Sequence, residues 1–245
     1  MIKLDLIKFY LGNIYRIFTS FLYEYEIEPS NACTIFGSRF RGGWNHIIET
    51  LKEYDLNNDI DYKETSMYIF LKKFNFQKFN NSINLRKSLP PFLFPWGAAN
   101  KNLNYSNKNI MNSRFCGPSK NDFIEKEFKR TIALYNKIKI EGYQPYQFNN
   151  SFIIGTWLKN SKNNSVFLVL GGNHRMAILS HLGHEKIKVR TSKKLLRIVS
   201  LNNINSWSNV KNNKISIENA KKFFDLFFNY NGNHIKKIIY EENKK

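Results

Sequence analysis

A strand, a glycine turn and a short helix are predicted near the middle of the chain by the pattern of hydrophobic and polar positions. Residues 166–170 form a continuous apolar run, Val-Phe-Leu-Val-Leu, which is typical of a buried strand. Gly171 and Gly172 follow directly and mark a tight turn. The residues after them are expected to form a short helix that ends at Gly183.

A long amphipathic helix is predicted ahead of that strand, over residues 122–140. Its apolar residues recur at spacings of four and three and define one face: Ile124, Phe128, Thr131, Tyr135 and Ile138. Ser119 is the predicted N-cap, with Asp122 three residues on as an approximate capping box, and Gly142 suits the C-terminal end. The opposite face is predicted to be solvated and carries three charged residues: Glu127, Arg130 and Lys137. Glu127 is also placed to brace Arg130 within the helix.

Mostly helical regions are predicted on both sides of this unit. In the N-terminal part, helices are expected over residues 44–54 and 61–74, and residues 88–97 form the clearest break because they contain three prolines and a glycine. In the C-terminal part, Ser216 is expected to cap a helix with an apolar stripe: Ala220, Phe223, Phe224 and Phe227. Residues 231–245 are polar and are expected to be frayed. We therefore predict three regions, residues 1–100, 101–200 and 201–245, with a mixed α/β core.

Residues 4–25 are rich in Leu, Ile, Phe and Tyr, so a membrane span must be considered. Asp5, Lys8, Arg16 and Glu24 interrupt the stretch, and no uncharged run approaches the roughly 18 residues that a span requires. No small-residue cleavage site follows, as a secretory signal would need. We predict no transmembrane segment, and an amphipathic helix that either packs on the protein or lies on a membrane surface.

Composition indicates a folded, strongly basic protein. Of the 245 residues, 42% are hydrophobic and 16% aromatic, which is unlike a disordered chain. The formal net charge of +19 ordinarily suggests an anionic partner such as nucleic acid. However, the basic residues are mostly Lys and are scattered, and Asn, Ile, Phe and Tyr are also abundant, as an AT-rich coding sequence would produce. Nucleic acid is therefore a partner that the sequence allows but does not favour.

Cysteine and histidine usage does not predict a metal site. Cys33 and Cys116 are the two cysteines of the chain, so no disulfide framework is expected and a reducing cytoplasm is the predicted compartment. His174, His181 and His184 do not form a convincing ligand set, because Gly183 is expected to end the helix between the last two. No Asp or Cys completes such a set.

The glycine turn carries groups that favour an anion. Two adjacent glycines allow a tight turn in which consecutive backbone N–H groups approach one ligand. The helix start adds unpaired N–H donors and a partial positive charge. The imidazole and guanidinium that follow add side-chain donors, and the guanidinium fork suits phosphate oxygens. We predict a phosphate site made of Gly171, Gly172, Asn173, His174 and Arg175; the alternative is a simple strand-to-helix turn with an incidental basic pair.

A second segment rich in glycine and arginine spans residues 34–44. One interpretation is a loop that presents Arg39, Arg41 and His46 to an acidic ligand. The other is a loop with solvated arginines, anchored in the core by Trp44. The sequence leaves both interpretations open.

The glycine turn also resembles the signature of the ParB/sulfiredoxin superfamily, in which a strand ends in Gly-[Glu/Gly/His]-[Arg/His]-Arg and a short helix follows. Residues 122–140 resemble the family helix, and Gly142-Tyr143-Gln144-Pro145 resembles its Gly-x-Gln-Pro turn. Residues 152–158 and 187–190 resemble the strands before and after the motif. The likeness covers roughly residues 113–192, under half of the chain, and implies a ParB/sulfiredoxin-like core.

This resemblance implies three directions of function. Sulfiredoxins repair oxidised cysteine with ATP through a cysteine in the turn, where this chain has Asn173, so that activity is not expected. ParB proteins bind CTP through the turn and bind DNA with a separate helix-turn-helix, for which we find no convincing candidate after residue 192. Small-molecule kinases of this fold, including free-serine kinases, hold nucleotide phosphates with a Gly-His-His-Arg turn, which is close to residues 172–175 here.

The kinase version is our functional hypothesis. It implies ATP or another nucleoside triphosphate with Mg²⁺, and a small hydroxyl compound or sugar as acceptor. A general likeness to ParB-like proteins encoded among bacterial surface-polysaccharide genes extends into the N-terminal half. Asp122 and Glu125 are candidate general bases, although both could simply be carboxylates favoured by a helix start. Arg114 and Ser119 complete the predicted phosphate-binding set. The alternative is a ParB-like nucleotide-responsive or DNA-binding module without catalysis.

Overall fold

A computed structural model describes residues 23–82, 93–98, 117–147, 151–191 and 196–240. The strands are β1 (Glu24–Ile27), β2 (Ala32–Cys33), β3 (Leu93–Phe94), β4 (Gly97–Ala98), β5 (Ile153–Lys159), β6 (Ser165–Gly171), β7 (Ile187–Thr191) and β8 (Ile198–Ser200). β3 and β4 form a small antiparallel hairpin, and the other strands form one mixed sheet.

Helices surround this sheet. They are α1 (His46–Leu56), α2 (Ser66–Lys73), α3 (Phe76–Ser82), α4 (Asn121–Glu141), α5 (Asn173–His181), α6 (Ser208–Lys211), α7 (Ile217–Asn229) and α8 (Asn233–Tyr240). Short 3₁₀ turns cover Pro29–Asn31, Tyr62–Glu64 and Leu201–Ser206. The fold class is therefore mixed α/β, which confirms the prediction.

The strand order of the main sheet is β1-β7-β5-β6-β2, with β8 pairing a different stretch of β5 from the one that pairs β7. β5 and β6 are antiparallel, whereas β7 is parallel to β5 and β2 is parallel to β6. β1 and β2, both from the N-terminal region, thus lie at opposite ends of that order. The predicted division at residue 100 therefore separates strands that belong to one sheet.

The predicted periodicities of the two largest helices agree with their burial. In α4 the apolar face is buried at Ile124, Thr131, Tyr135 and Ile138. In α7 the stripe of Ala220, Phe223, Phe224 and Phe227 is buried, and the Ser216 side chain caps the helix by accepting a hydrogen bond from the Asn219 N–H. Local patterning was sufficient here because one face of each helix covers the core.

Several local predictions are wrong. The N-cap of α4 is Lys120, so Ser119 does not cap it. Glu127, predicted to be solvated, is 8% exposed. Residues 233–240, predicted to be frayed, form α8 and bury Ile235 and Ile239 against the core.

The segments at the two ends of the chain, and those around the proline-rich break, are described only in part. The helix predicted over residues 4–25 overlaps a strand, β1, at its C-terminal end, and residues 4–22 lie outside the described residues. Within the described ranges, no helix combines the length and apolarity needed to cross a membrane.

Candidate functional site

The glycine turn joins β6 to α5. Gly172 is the N-cap of α5 and has a left-handed backbone, with φ of +85° and ψ of 25°. A Cβ atom at Gly172 would lie 3.1 Å from the Ile153 Cα, whereas one at Gly171 would meet nothing nearer than 3.8 Å. The turn therefore requires glycine at Gly172, for conformation and for space, but not at Gly171.

Replacing Gly172 by alanine is expected to lower the free energy of unfolding by about 1–3 kcal/mol, because the side chain both strains the backbone and meets Ile153. Gly183 is the matched control, since it has φ of +86° but nothing within 4 Å of an added Cβ. Gly183→Ala should lose only the backbone part, about 1 kcal/mol. Chemical denaturation of both variants checks this, and equal losses would contradict a steric role for Ile153.

A cavity of about 270 Å³ opens at this turn. One part of its lining is polar and contains Glu127 and Arg130 from α4 together with Asn173, His174 and Arg175 from α5. Another part is apolar and is lined by side chains from the N-terminal half, from α4 and from α8: Phe36, Met67, Phe70, Leu71, Leu134 and Ile235. Partly enclosed cavities that combine apolar walls with a few polar groups are the usual form of small-molecule sites.

Glu127, Arg130 and His174 form a connected network in the polar part. Arg130 Nη2 donates to Glu127 Oε2 at 2.5 Å and lies 3.3 Å from His174 Nδ1. His174 Nε2 lies 3.4 Å from the same Glu127 oxygen. A guanidinium can only donate, so Nδ1 accepts and the Nε2 proton faces the carboxylate. Both of these contacts of the carboxylate use Oε2, and no contact of Oε1 is seen among the described residues.

Two histidines at the cavity are neutral. Burial lowers the pKa of His174 to about 4, with a further lowering by Arg130 that Glu127 partly opposes. Burial, and then the proximity of His174, lowers the pKa of His46 to about 3. The charged groups that line the cavity are then two guanidiniums, Arg130 and Arg175, and one carboxylate, Glu127. An anion is favoured there by charge as well as by the start of α5.

These neutral histidines predict a loss of stability in mild acid. In the unfolded chain each imidazole takes up a proton near pH 6.5, whereas in the folded protein His46 and His174 stay neutral until about pH 3 and 4. Their contribution is thus fully present above pH 6.5 and is lost as the pH falls, by up to about 1.4 kcal/mol per pH unit for each histidine. Urea denaturation between pH 7.5 and 4.5 measures it. His46→Phe should make the slope shallower, and a flat profile in the wild type would contradict the burial of these rings.

An unpaired acceptor also lies at the turn. The side-chain oxygen of Asn173 is buried and has no hydrogen-bond partner among the described residues. Such atoms are rare in folded proteins and commonly mark a position completed by water, an ion or a ligand. Asn173 lines the cavity, so a hydroxyl group or hydrated cation of a bound ligand would satisfy this oxygen.

The residues predicted from the sequence are only partly brought together. The five turn residues line the cavity. Asp122 is exposed, Glu125 pairs with Lys129 at 2.7 Å, and the carboxylate that lines the cavity is instead Glu127. Ser119 lies ahead of α4, where its N–H donates to the Leu71 carbonyl. Arg114 lies outside the described residues.

Sequence reasoning did not assign Glu127 and Arg130 to this site, and it named His46 only as a candidate in the separate segment at residues 34–44. The spacing of Glu127 and Arg130 predicted that they would brace each other, and this pairing is present. Glu127 lies three residues after Ile124 and four before Thr131, on the buried face of α4, and its charge led to the prediction that it is solvated. Nothing within α4 indicates that the pair faces the glycine turn. No local pattern connects His46 with a turn that lies far along the chain.

The arginines of the loop at residues 34–44 bond to backbone carbonyls of distant segments, and both also line a second cavity, beside residues 228–231. Arg39 donates to the Phe227 carbonyl at 2.7 Å, and Arg41 donates to the His184 carbonyl at 3.1 Å. Trp44 is buried, as the structural interpretation predicts. Of the three residues proposed for an acidic ligand, His46 is the one that lines the cavity at the glycine turn.

The His181 side chain forms its contacts away from the glycine turn. Its Nε2 lies 2.7 Å from Asp55 Oδ2, and Tyr135 donates to the other oxygen of that carboxylate at 2.8 Å. This network joins α1, α4 and α5. Across the described part of the chain, no group of three or more His, Cys, Asp or Glu residues is arranged to hold a metal ion.

Comparison with known proteins finds no matching protein family, no matching characterised protein and no matching solved structure. The function proposed for the chain therefore depends on the cavity and on the chemistry of the residues that line it.

Proposed function

We propose that this protein binds a nucleoside triphosphate, ATP in the simplest case, and transfers its terminal phosphoryl group to a hydroxyl of a small molecule or sugar. The observation that carries the proposal is the meeting, in one cavity, of a glycine turn at a helix start, two arginines and a buried carboxylate. Phosphoryl transfer needs positioned positive charge and a proton acceptor more than covalent chemistry from the protein. These groups supply both.

Phosphate binding is assigned to the turn and its arginines. The first residues of α5 line the cavity, and the unpaired N–H groups of a helix start carry a partial positive charge that favours an anion. Arg175 follows on the first turn of α5, and Arg130 reaches the same space from α4. The side chain of Arg130 is 54% exposed, so it is available to an incoming ligand despite its bond to Glu127.

The proton acceptor is assigned to Glu127 instead of Asp122 or Glu125. In the reaction, the acceptor hydroxyl loses its proton to the carboxylate as its oxygen bonds to the terminal phosphorus. The bond between that phosphorus and the bridging oxygen breaks, and ADP leaves. Arg130 and the neutral His174 hold the carboxylate through Oε2, so Oε1 is the oxygen that we assign to the hydroxyl.

Mg²⁺ fits this site as a partner of the nucleotide. Mg²⁺ in nucleotide sites is held by phosphate oxygens and water with only one or two protein oxygens. The cavity offers the unpaired Asn173 oxygen for that purpose, since the Glu127 carboxylate is assigned to Arg130, His174 and the acceptor hydroxyl. When bound, the ion would neutralise charge on the phosphates. An ATP-dependent reaction also implies that the protein works in the cytoplasm.

The alternative function is a nucleotide-responsive module of ParB type that binds DNA without catalysis. One observation supports it. α7 and α8 are joined by three residues that include Gly232, a spacing typical of a helix-turn-helix, and α8 exposes Lys236 and Lys237. The buried carboxylate in the cavity has no role in that alternative, and we therefore favour the kinase.

The test begins with a thermal-shift screen of ATP, ADP, CTP and GTP in the presence of Mg²⁺. A specific nucleotide should raise the melting temperature by mass action. Labelled nucleotide is then incubated with panels of amino acids, sugars and nucleotide sugars, and we expect label to move to one acceptor class. If the nucleotide binds tightly but no label is transferred, and duplex DNA changes that binding, the kinase proposal is wrong and the DNA-binding alternative takes its place.

A further inference from the structure

The apolar part of the cavity contains one polar ring, that of His46. This residue is the first of α1, and α1 packs against α5. The imidazole stacks on Phe70 with ring centroids 4.0 Å apart and planes 11° from parallel. Phe70 in turn stacks on Phe74 at 4.8 Å. The ring contacts of His46 within the described chain are aromatic, and no hydrogen bond of its ring nitrogens is seen there.

A neutral imidazole offers one donor and one acceptor, on two nitrogens whose bonding directions diverge in the ring plane. The stack on Phe70 fixes that plane, so a bound group that meets one nitrogen must present a donor or an acceptor in or near it. Thr34 and Ser38 also line the cavity, and Thr34 Oγ1 already accepts from the N–H groups of Phe36 and Ser38. The other side chains around the imidazole offer no hydrogen bonds: Phe36, Met67, Phe70, Leu71 and Leu134. A sugar placed among them would leave several hydroxyl groups without partners, which is costly.

A planar heteroaromatic ring meets these requirements. Its faces are apolar enough for the Phe, Met and Leu side chains, and its edge carries hydrogen-bonding nitrogens. We propose that the apolar part of the cavity binds the nucleobase of the nucleotide and that His46 recognises the edge of that base. This inference rests on the proposed function, since it requires the phosphates of the same nucleotide to lie at the glycine turn. The acceptor then approaches from the exposed side of Arg130.

The test separates the base from the phosphates by comparing ATP with inorganic tripolyphosphate, which carries no base. His46→Phe keeps an aromatic ring on Phe70 and removes only the two nitrogens. We expect it to weaken ATP binding about tenfold, the scale of one or two neutral hydrogen bonds, and to leave tripolyphosphate binding unchanged. His184→Phe is the matched control, because His184 is exposed and does not line the cavity; it should change neither affinity.

Leu134→Trp provides a second variant in case His46→Phe alters the fold. Leu134 is only partly buried, so we expect the tryptophan ring to fit there and to fill part of the cavity volume. It should weaken ATP binding more than tripolyphosphate binding, whereas Leu56→Trp, at a position that is 89% exposed, should have no effect.

The outcomes distinguish the two proposals. If both His46→Phe and Leu134→Trp bind ATP like the wild type, or if they weaken ATP and tripolyphosphate equally, the nucleobase assignment is wrong while nucleotide binding at the turn stands. If the wild type binds neither ATP nor tripolyphosphate, the proposed function itself is wrong and the nucleobase site falls with it.

Discussion

Glu127→Gln is expected to lower the rate of phosphoryl transfer by about 100-fold or more while ATP affinity changes little. A general base acts in the transition state, and its removal typically costs a factor of 10² to 10⁴ in rate. Glutamine has nearly the same shape as glutamate and still accepts from Arg130 and His174, which contact Oε2. The substitution therefore removes the proton acceptor without opening the network.

The controls for this experiment lie on the same helix. Glu125→Gln and Asp122→Asn change the carboxylates that the sequence singled out, and neither of those side chains lines the cavity. Single-turnover transfer rates and nucleotide titrations should show both controls close to wild type. A large loss of rate in Glu125→Gln with normal turnover in Glu127→Gln would reverse the assignment of the base.

Arg175→Ala is expected to weaken nucleotide binding by roughly 1.5–3 kcal/mol, or about 10-fold to 150-fold in Kd. This is the scale of a hydrogen bond to a charged group, and Arg175 lines the cavity on the first turn of α5. Arg175→Lys should recover only part of the loss, because an ammonium cannot reproduce the paired donors of a guanidinium. Tripolyphosphate should be affected as strongly as ATP.

Arg41→Ala is the matched control for the loss of one positive charge. Arg41 is exposed and donates to the His184 carbonyl, outside the cavity. Its loss should leave nucleotide affinity near wild type, as isothermal titration at two salt concentrations would show. If Arg41→Ala weakens binding as much as Arg175→Ala, general charge attraction rather than the glycine turn accounts for the affinity.

The burial of Glu127 shows what the pattern within one helix does and does not predict. The periodicity of α4 correctly places Ile124 and Thr131 in the core, and Glu127, three residues after Ile124 and four before Thr131, lies on that same buried face. The charge of Glu127, and not its position in the repeat, led to the prediction that it is solvated. The cavity between α4, α5 and the N-terminal segments encloses Glu127, and no spacing within α4 indicates those neighbours.

The sequence by itself determined the parts of this protein whose causes are local. The apolar run of β6, the stripe of α7 and the glycine turn at Gly172 each follow from residues that are neighbours along the chain. Tertiary structure alone decided which side chains share the cavity, because His46, Glu127 and His174 are far apart in sequence and meet only when α1, α4 and α5 pack together. Periodicity reports which face of an element is buried, whereas the identity of the element that buries it depends on packing between distant segments.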